Sequence, residues 1–573
     1  MSETGKELIL LHKFKTEHMK MHNCRCSCFL GLIFVYSFLF AFNGSSFSQS
    51  WIKNIGGSLD DKAYAVVVDK AGNIYITGYT TQSGGNIDII TFKLNQNGEQ
   101  QWSKTFDGAG HSDDKAYAIT LDKSNNIIVT GYTTGISSHH DFITIKYNSS
   151  GTQQWFATYN APFNNNDEAD AVICDDSSNV YVTGFITNFG TYYYTIKYNS
   201  SGVFQWGNTF GGTGNGDNKA YAITIDRSSN IYITGYISDT ATGFDYATLK
   251  YNRNGTQQWA RIYNGPANSD DKAYAITIDK AGSIYVTGYA TDTVSSFDYA
   301  TIKYDSTGST LWTALYDGTG HSEDKAFAIT VDSLNNPYVT GTSRRDTVSG
   351  TEDFATIKYN STGGSQVWVA RYTAAQNDGP SIPYSICVSK DNAYVFVTGS
   401  SWTDTTKKMD IATVKYNALT GDSVQQKRIN GSGNNDDAGI MITSDTTGNI
   451  FVVGYESILN HGYDIVTLKF PLGDLISVKK ISSAVPENFV LHQNYPNPFN
   501  PGTKILFDLP KSTVVKLVIY DITGREVATL ANGYMRYGSY EIEFNAKNLS
   551  SGVYFYKLFS DDFTSVKKMV LLK

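Results

Sequence analysis

The chain has 573 residues, of which 41% are hydrophobic and 17% charged, with a formal net charge of −8. That is more than one compact core usually serves, and the composition is that of a folded chain rather than a disordered one. An acidic balance without any basic stripe argues against nucleic acid as a partner, and 51 Gly, 11 Pro, 40 Tyr and 30 Phe favour short β-strands joined by tight turns.

The N-terminus has the form of an export signal. Lys13, Lys15 and Lys20 precede an apolar run from Cys28 to Phe42, and small residues follow. Ser46 and Ser48 fit the small-x-small pattern, which places the cut between Ser48 and Gln49 and assigns residues 1–48 to a signal peptide. The apolar run, about 15 residues, is short for a membrane span. Cys24, Cys26 and Cys28 lie in this segment, leaving Cys174 and Cys387 in the mature chain. Two distant cysteines, without zinc-ligand spacing, do not make a disulfide framework or a metal site.

A repeat begins at Gln49. A Thr-Gly dipeptide places Gly78, Gly131, Gly184, Gly235, Gly288, Gly341 and Gly399, and an eighth copy carries Gly454 in Val-Gly. A second ruler, the lysine closing each DxxTxK-like strand, gives Lys93, Lys146, Lys197, Lys250, Lys303, Lys358, Lys415 and Lys469. Each unit holds four short runs rich in Ile, Val, Thr and Tyr, separated by Asn/Gly/Ser/Asp clusters. One example is DKAYAITID from Asp271, then IYVTGYAT, FDYATIKYD and TLWTALY. Both faces of these runs are apolar, as expected of sheets sandwiched between neighbours. Four antiparallel strands at this period predict an eight-bladed β-propeller over residues 49–470.

In the repeat a tryptophan strand follows the lysine strand through a tight turn. The first such strand, at Trp51, has no lysine strand before it, and the last lysine strand, ending at Lys469, has no tryptophan strand after it. The two should pair, so that the N-terminal strand completes the last blade and removes an exposed edge. Gln425 stands where tryptophan is expected, assigned by sequence to unit eight, and SIPYSICVS from Ser381 replaces KAYAITID in unit seven. Both mark weak seams. Cys174 and Cys387 fall in units three and seven, opposite one another, which forbids a disulfide.

The stretch DDKAYAVVVDKAGNIYITGYT from Asp60 resembles the SBBP-type bacterial β-propeller repeat. The resemblance implies the fold and an extracellular setting, and no particular activity.

Candidate chemistry is sparse. Asp61-Lys62, Asp114-Lys115, Asp271-Lys272 and Asp324-Lys325 recur at the start of the first strand, and a device repeated around a ring is structural more often than functional. The Asp-rich turns lack the twelve-residue calcium-loop pattern, so neither metal nor cofactor is expected. His111 and His321 share the context GHS in two units, which also points to structure. Function is expected where the repeats disagree: His139, His140, Arg344, Arg345 and Trp402, all assigned to the loop between the second and third strands. Such loops share one rim and can form a binding surface, with Trp402 suited to stacking and the arginines to carboxylate or phosphate. There is no nucleophile elbow, Gly-rich phosphate loop or metalloprotease helix.

After Phe470 the period stops. Residues 471–486 are assigned to a linker and 487–573 to a small immunoglobulin-like β-sandwich, on alternating strands and turns and on Gly524 as a hairpin residue. YPNPFNP, IYDITGREV, LSSGVYFYKL and the terminal KKMVLLK resemble the type A C-terminal sorting domain of the bacterial type IX secretion system. That resemblance implies export across the outer membrane of a Gram-negative bacterium, with the secretion machinery as partner and release or surface attachment as the end point. The expected protein is a monomeric, non-catalytic propeller scaffold for a glycan or protein ligand, or for adhesion. The alternatives are an extracellular propeller enzyme, quinoprotein-like or hydrolytic, and a structural surface-layer component.

Overall fold

The computed structural model describes residues 51–573 except 137–138, 215, 294–295, 346–350, 374–378, 403–407, 471–477, 483–484, 512, 536, 547–548 and 561–562. The expected signal segment, with Ser48 and Gln49, lies outside the described residues. The regular elements are all strands, arranged in ten four-stranded antiparallel sheets. Eight are propeller blades: residues 62–106, 115–159, 168–210, 219–263, 272–316, 324–372, 381–429, and finally 438–470 with 51–55. The predicted eightfold ring is therefore present.

Each blade is apolar on both faces because each is covered on both sides. Ile284, Val286 and Ile302 of blade five pack against Tyr232, Tyr246 and Trp259 of blade four in one continuous layer. The turn between the first and second strands is fixed by an aspartate. Asp279 Oδ1 accepts hydrogen bonds from Ala281 N and Ser283 N, both at 2.9 Å. Asp69, Asp122, Asp175, Asp226, Asp332 and Asp445 build the same Asx turn.

Successive blades are joined by a repeated latch. Trp102 pairs with Lys93 across the third and fourth strands of blade one. Its indole Nε1 and the Lys93 ammonium both donate to one acceptor, the Ser149 carbonyl in the third–fourth turn of blade two, at 3.1 and 3.4 Å. Gly151 of that turn has φ +82°, and a Cβ there would press into the Trp102 ring. Trp51/Lys469, Trp155/Lys146, Trp206/Lys197, Trp259/Lys250, Trp312/Lys303 and Trp368/Lys358 repeat the contact on Gln96, Ser200, Arg253, Ser306, Ser361 and Ala418.

The ring closes as expected. Trp51–Ile55 pairs antiparallel with the last lysine strand, from Trp51↔Lys469 to Ile55↔Ile465. This closure corrects the reading of Gln425. That residue pairs with Lys415 and belongs to blade seven, not eight, so both sequence anomalies fall in one blade. Its tryptophan would have docked on the third–fourth turn of blade eight. No such hairpin exists, because the third and fourth strands of blade eight come from opposite ends of the ring. Lys415 accordingly has no hydrogen-bond partner among the described residues; it lies against the Tyr394 ring, and burial pulls its pKa down to about 6. Cys174 and Cys387 are free thiols in blades three and seven, as placed from sequence.

The C-terminal segment forms two four-stranded sheets around one core that includes Leu491, Phe507, Leu517, Ile519, Tyr556, Leu558 and Met569. Gly524, at φ +82°, turns the hairpin between Thr513–Asp521 and Glu526–Met535. Val478–Ser482, assigned to the linker, is instead a strand pairing with Gly538–Asn545. Five residues with two adjacent lysines carry too weak a pattern to announce a strand; the backbone partner supplies it.

The latch gives a stability prediction. Trp259→Ala, which empties a site only 8% exposed, should cost about 3 kcal/mol. Gln425→Ala, at the position without a docking turn, should cost less than about 1 kcal/mol. Denaturant midpoints of the two variants check the contrast.

Candidate functional site

The inner edge of every blade is its first strand, and first strands of neighbouring blades touch all the way round, that of blade eight meeting that of blade one. In each, one residue bulges out of the ladder: Tyr64, Tyr117, Asp170, Tyr221, Tyr274, Phe327, Tyr384 and Ile440. The Thr-Gly glycine makes the bulge possible. A Cβ at Gly78 or Gly288 would overlap the carbonyl oxygen of Lys62 or Lys272, and the other six glycines stand in the same relation to their first strands. The bulged side chains meet around the axis, Tyr64 against Tyr117 at 5.9 Å, Tyr221 against Tyr274 at 5.7 Å and Tyr274 against Phe327 at 5.9 Å.

In five blades a lysine sits two residues before the bulge, after an aspartate in four of them and after Asn218 in blade four; Glu168, Ile382 and Ala438 hold the place in blades three, seven and eight. The lysine ammonium lies over aromatic rings of the preceding blade: Lys62 over Tyr463 at 4.1 Å, Lys219 over Phe185 at 4.1 Å, Lys272 over Phe244 at 4.1 Å and Lys325 over Phe297 at 4.6 Å. These are cation–π contacts at a desolvated site. Lys62 is 1% exposed, and burial pulls its pKa down to about 8.

Blade three breaks the pattern. Glu168 replaces the lysine and Asp170 the bulged aromatic. Glu168 Oε1 lies 2.8 Å from His140 Nδ1, and the His140 ring stacks on Tyr132 with centroids 3.7 Å apart at 13°. Tyr117 donates to Glu168 Oε2 at 3.5 Å. Asp170, 8% exposed, lies close enough to Tyr117 and Tyr221 for its charge to add to the burial that already raises both phenols. The result is an acidic, aromatic-walled niche in a collar whose other places hold five lysines and, in blades seven and eight, Ile382 and Ala438.

The sequence candidates scatter around one rim. His139 is exposed, and His140, the first residue of a strand rather than a loop residue, enters the niche. Arg344 ends a second strand and lies 3.7 Å from Glu323, while Arg345 clasps Asp353 at 2.8 and 3.1 Å. Trp402 is half-buried, its ring against Gly379 and its carbonyl held by Arg428. Blades two, six and seven thus present them at separate places. Sequence reasoning missed Glu168 and Asp170, although NDEADAV against DDKAYAI was the available signal. It also missed Phe163 and Phe189 on the same rim of blade three, 60% and 85% exposed, with ring centroids 5.0 Å apart and φ of 86° and 55°. Bulky residues in left-handed backbone are uncommon and concentrate at functional loops.

The aspartate of the Asp-Lys motif holds the loops of this rim. Asp114 accepts from Gly108 N at 2.6 Å and from Thr134 N at 2.9 Å, tying the inter-blade loop to the end of the second strand. Asp61, Asp167, Asp271, Asp324 and Asp437 repeat this. Burial raises the Asp167 and Asp324 carboxyls to about 6 and those of Asp271 and Asp437 to about 7. In blade four Asn218 fills the place with the same two acceptor bonds, at 3.0 and 2.8 Å.

Comparison with known proteins agrees with both halves of the chain. Residues 493–572 match the secretion system C-terminal sorting domain, and residues 50–85 and 258–293 match the β-propeller repeat named SBBP. The sorting domain marks the protein for type IX secretion to the outer cell surface or extracellular space of a Gram-negative bacterium. No curated protein matches the chain. Among solved structures, an endo-arabinase from Bacteroides thetaiotaomicron is 13% identical, covering 44% of this chain and 92% of its own at a TM-score of 0.24. A protein of unknown function from the same organism is 10% identical, covering 70% and 98% at 0.27. Likenesses this loose carry no argument about this chain.

The buried aspartates give a pH prediction. A carboxyl whose folded pKa is raised contributes stability below its unfolded value near 3.8, and this is lost as pH rises through about 7 for Asp271. Asp271→Asn reproduces the arrangement that Asn218 already makes in blade four, so the variant should fold, and its stability relative to wild type should increase from pH 5 to pH 8. Thermal melts at the two pH values check the sign.

Proposed function

We propose that this exported propeller is a ligand-binding or adhesion scaffold whose recognition point is the rim of blade three. The observation that carries the reading is the placement of Glu168 and Asp170 at collar positions where five other blades carry a lysine and an aromatic. In five blades the collar position holds a lysine whose ammonium lies over aromatic rings. In blade three the protein supplies carboxylates beside Tyr117 and Tyr132 instead, a combination suited to a basic group on an extracellular peptide or amino sugar. Phe163 and Phe189 add an exposed aromatic platform for the flat, apolar part of such a ligand. The sorting domain engages the secretion machinery, and the propeller is its cargo.

A second reading, an extracellular hydrolase, draws on the His140–Glu168 pair at 2.8 Å, a carboxylate-oriented imidazole of the kind that moves protons. The two readings separate by experiment. On glycan and peptide arrays, the full chain should retain basic ligands, and E168Q/D170N and F189A should each lower the signal at least about tenfold. Undiminished binding by the double variant sinks the blade-three site. Turnover that disappears in H140A would establish the enzyme.

A further inference from the structure

In six blades an aspartate near the start of the third strand lies buried on this rim (Asp88, Asp141, Asp245, Asp298, Asp353 and Asp410), and its neighbours differ from blade to blade. In blade six, Arg371 of the fourth strand lies 3.9 Å from Asp353 and donates to Ser343 O at 3.1 Å and to Arg344 O at 2.9 Å. In blade seven, Arg428 lies 3.7 Å from Asp410 and donates to Ser401 O at 2.9 Å. The register makes Thr105 of blade one the equivalent of these arginines and Asp88 the equivalent of the aspartates.

Blade one therefore lacks the guanidinium, yet it adds negative charge. Asp107 follows the fourth strand, and Asp114 arrives from blade two; an oxygen of each lies within 4.8 Å of the others and of Asp88. Asp88 is 6% exposed, and its Oδ1 has no hydrogen-bond partner among the described residues, although Gln82 reaches the other side of the carboxyl. Asp114 is fully buried. The three carboxyl groups thus converge with one Asp88 oxygen unused. His111, an exposed side chain, bonds Asp107 Oδ2 at 2.7 Å. Asn160 and Asn264, at the position of Asp107 in blades two and four, make the same i,i+4 loop contact with an asparagine instead. The loop thus needs no carboxylate for its own structure.

We propose that Asp88, Asp107 and Asp114 bind a divalent cation of the calcium type between blades one and two, in the place that an arginine side chain fills in blades six and seven. Three carboxylates with water completing the shell are hard oxygen ligands, which suit calcium better than a transition metal. Asp114 also accepts from Gly108 N and Thr134 N, so the ion would brace the inter-blade loop against both sheets. Asp298, Asp317 and Asp324 repeat the triad four blades on, but Arg371 lies near enough to lower the pKa of Asp324, so this copy is the weaker one.

The test is calcium titration of the full chain by calorimetry, with terbium luminescence as a second readout. Wild type should bind saturably with a dissociation constant of about 0.1–1 mM, as extracellular calcium modules do. Asp107→Asn, at an exposed position that leaves folding intact, should remove one ion per molecule. Thr105→Arg should also remove one ion while melting without calcium no lower than wild type. Absence of saturable binding by wild type at ~10 mM calcium, or an unchanged number of ions in Asp107→Asn or Thr105→Arg, overturns the proposal.

Discussion

Everything in the propeller rests on one shared acceptor. An indole N–H and a lysine ammonium, paired across a hairpin, both point at a single carbonyl in the next blade's turn. A glycine in that turn lets the ring lie flat on the backbone. Neither donor alone fixes the angle between two sheets; two donors converging on one oxygen, with an aromatic plane pressed against the turn, do. Because the acceptor lies in the following blade, the contact is directional. Seven of the eight sheets are held in this way by the one after them, blade seven being the exception, and the chain must come back on itself for the last sheet to be held at all. The strand at Trp51 meets that need, supplying the missing fourth strand of blade eight and docking its own tryptophan on blade one.

The second constraint is geometric and acts at the axis. Eight first strands crowd together, and a bulge in each lets one side chain leave the ladder and meet its neighbours. The bulge brings a carbonyl of the first strand against the second, where only glycine leaves room. The Thr-Gly dipeptide that measures the repeat is thus a packing requirement. Its regularity reports on backbone approach, while the residue in the bulge remains free to vary.

Much of this was legible in the sequence, because the contacts that build the ring recur and recurrence is what a single sequence displays. The count of eight, the closing strand and the separate thiols followed from spacing alone. What was not legible depended on which blade a residue faces. A repeat that begins at its tryptophan strand puts Gln425 in unit eight, whereas the hairpin with Lys415 places it in blade seven. The variable segment before His140 points to a loop residue, yet His140 begins a strand and its ring stacks on Tyr132. Arg345 looked available for a ligand because Asp353, eight residues on, gave no sign in sequence of closing on it. Val478–Ser482 drew its strand identity from a partner some sixty residues away. In each case a non-local pairing decided what local pattern left open.

A broken repeat is not by itself a sign of function, and the two sharpest breaks here show why. Gln425 departs from tryptophan because the turn it would dock on does not exist; the topology explains it completely, and nothing is left over for a ligand to explain. Asp170 has no such excuse. Its blade has intact neighbours, the bulge is formed as in the other seven, and six of those seven carry an aromatic there, Ile440 of blade eight being the exception. A buried carboxylate between aromatic neighbours costs free energy to desolvate, and the seven other blades form the same bulge without one. The same logic applies to Asp107, since asparagine serves the loop equally well in other blades. Departures that lower the stability of the ring without a topological cause are the ones that point beyond the ring itself.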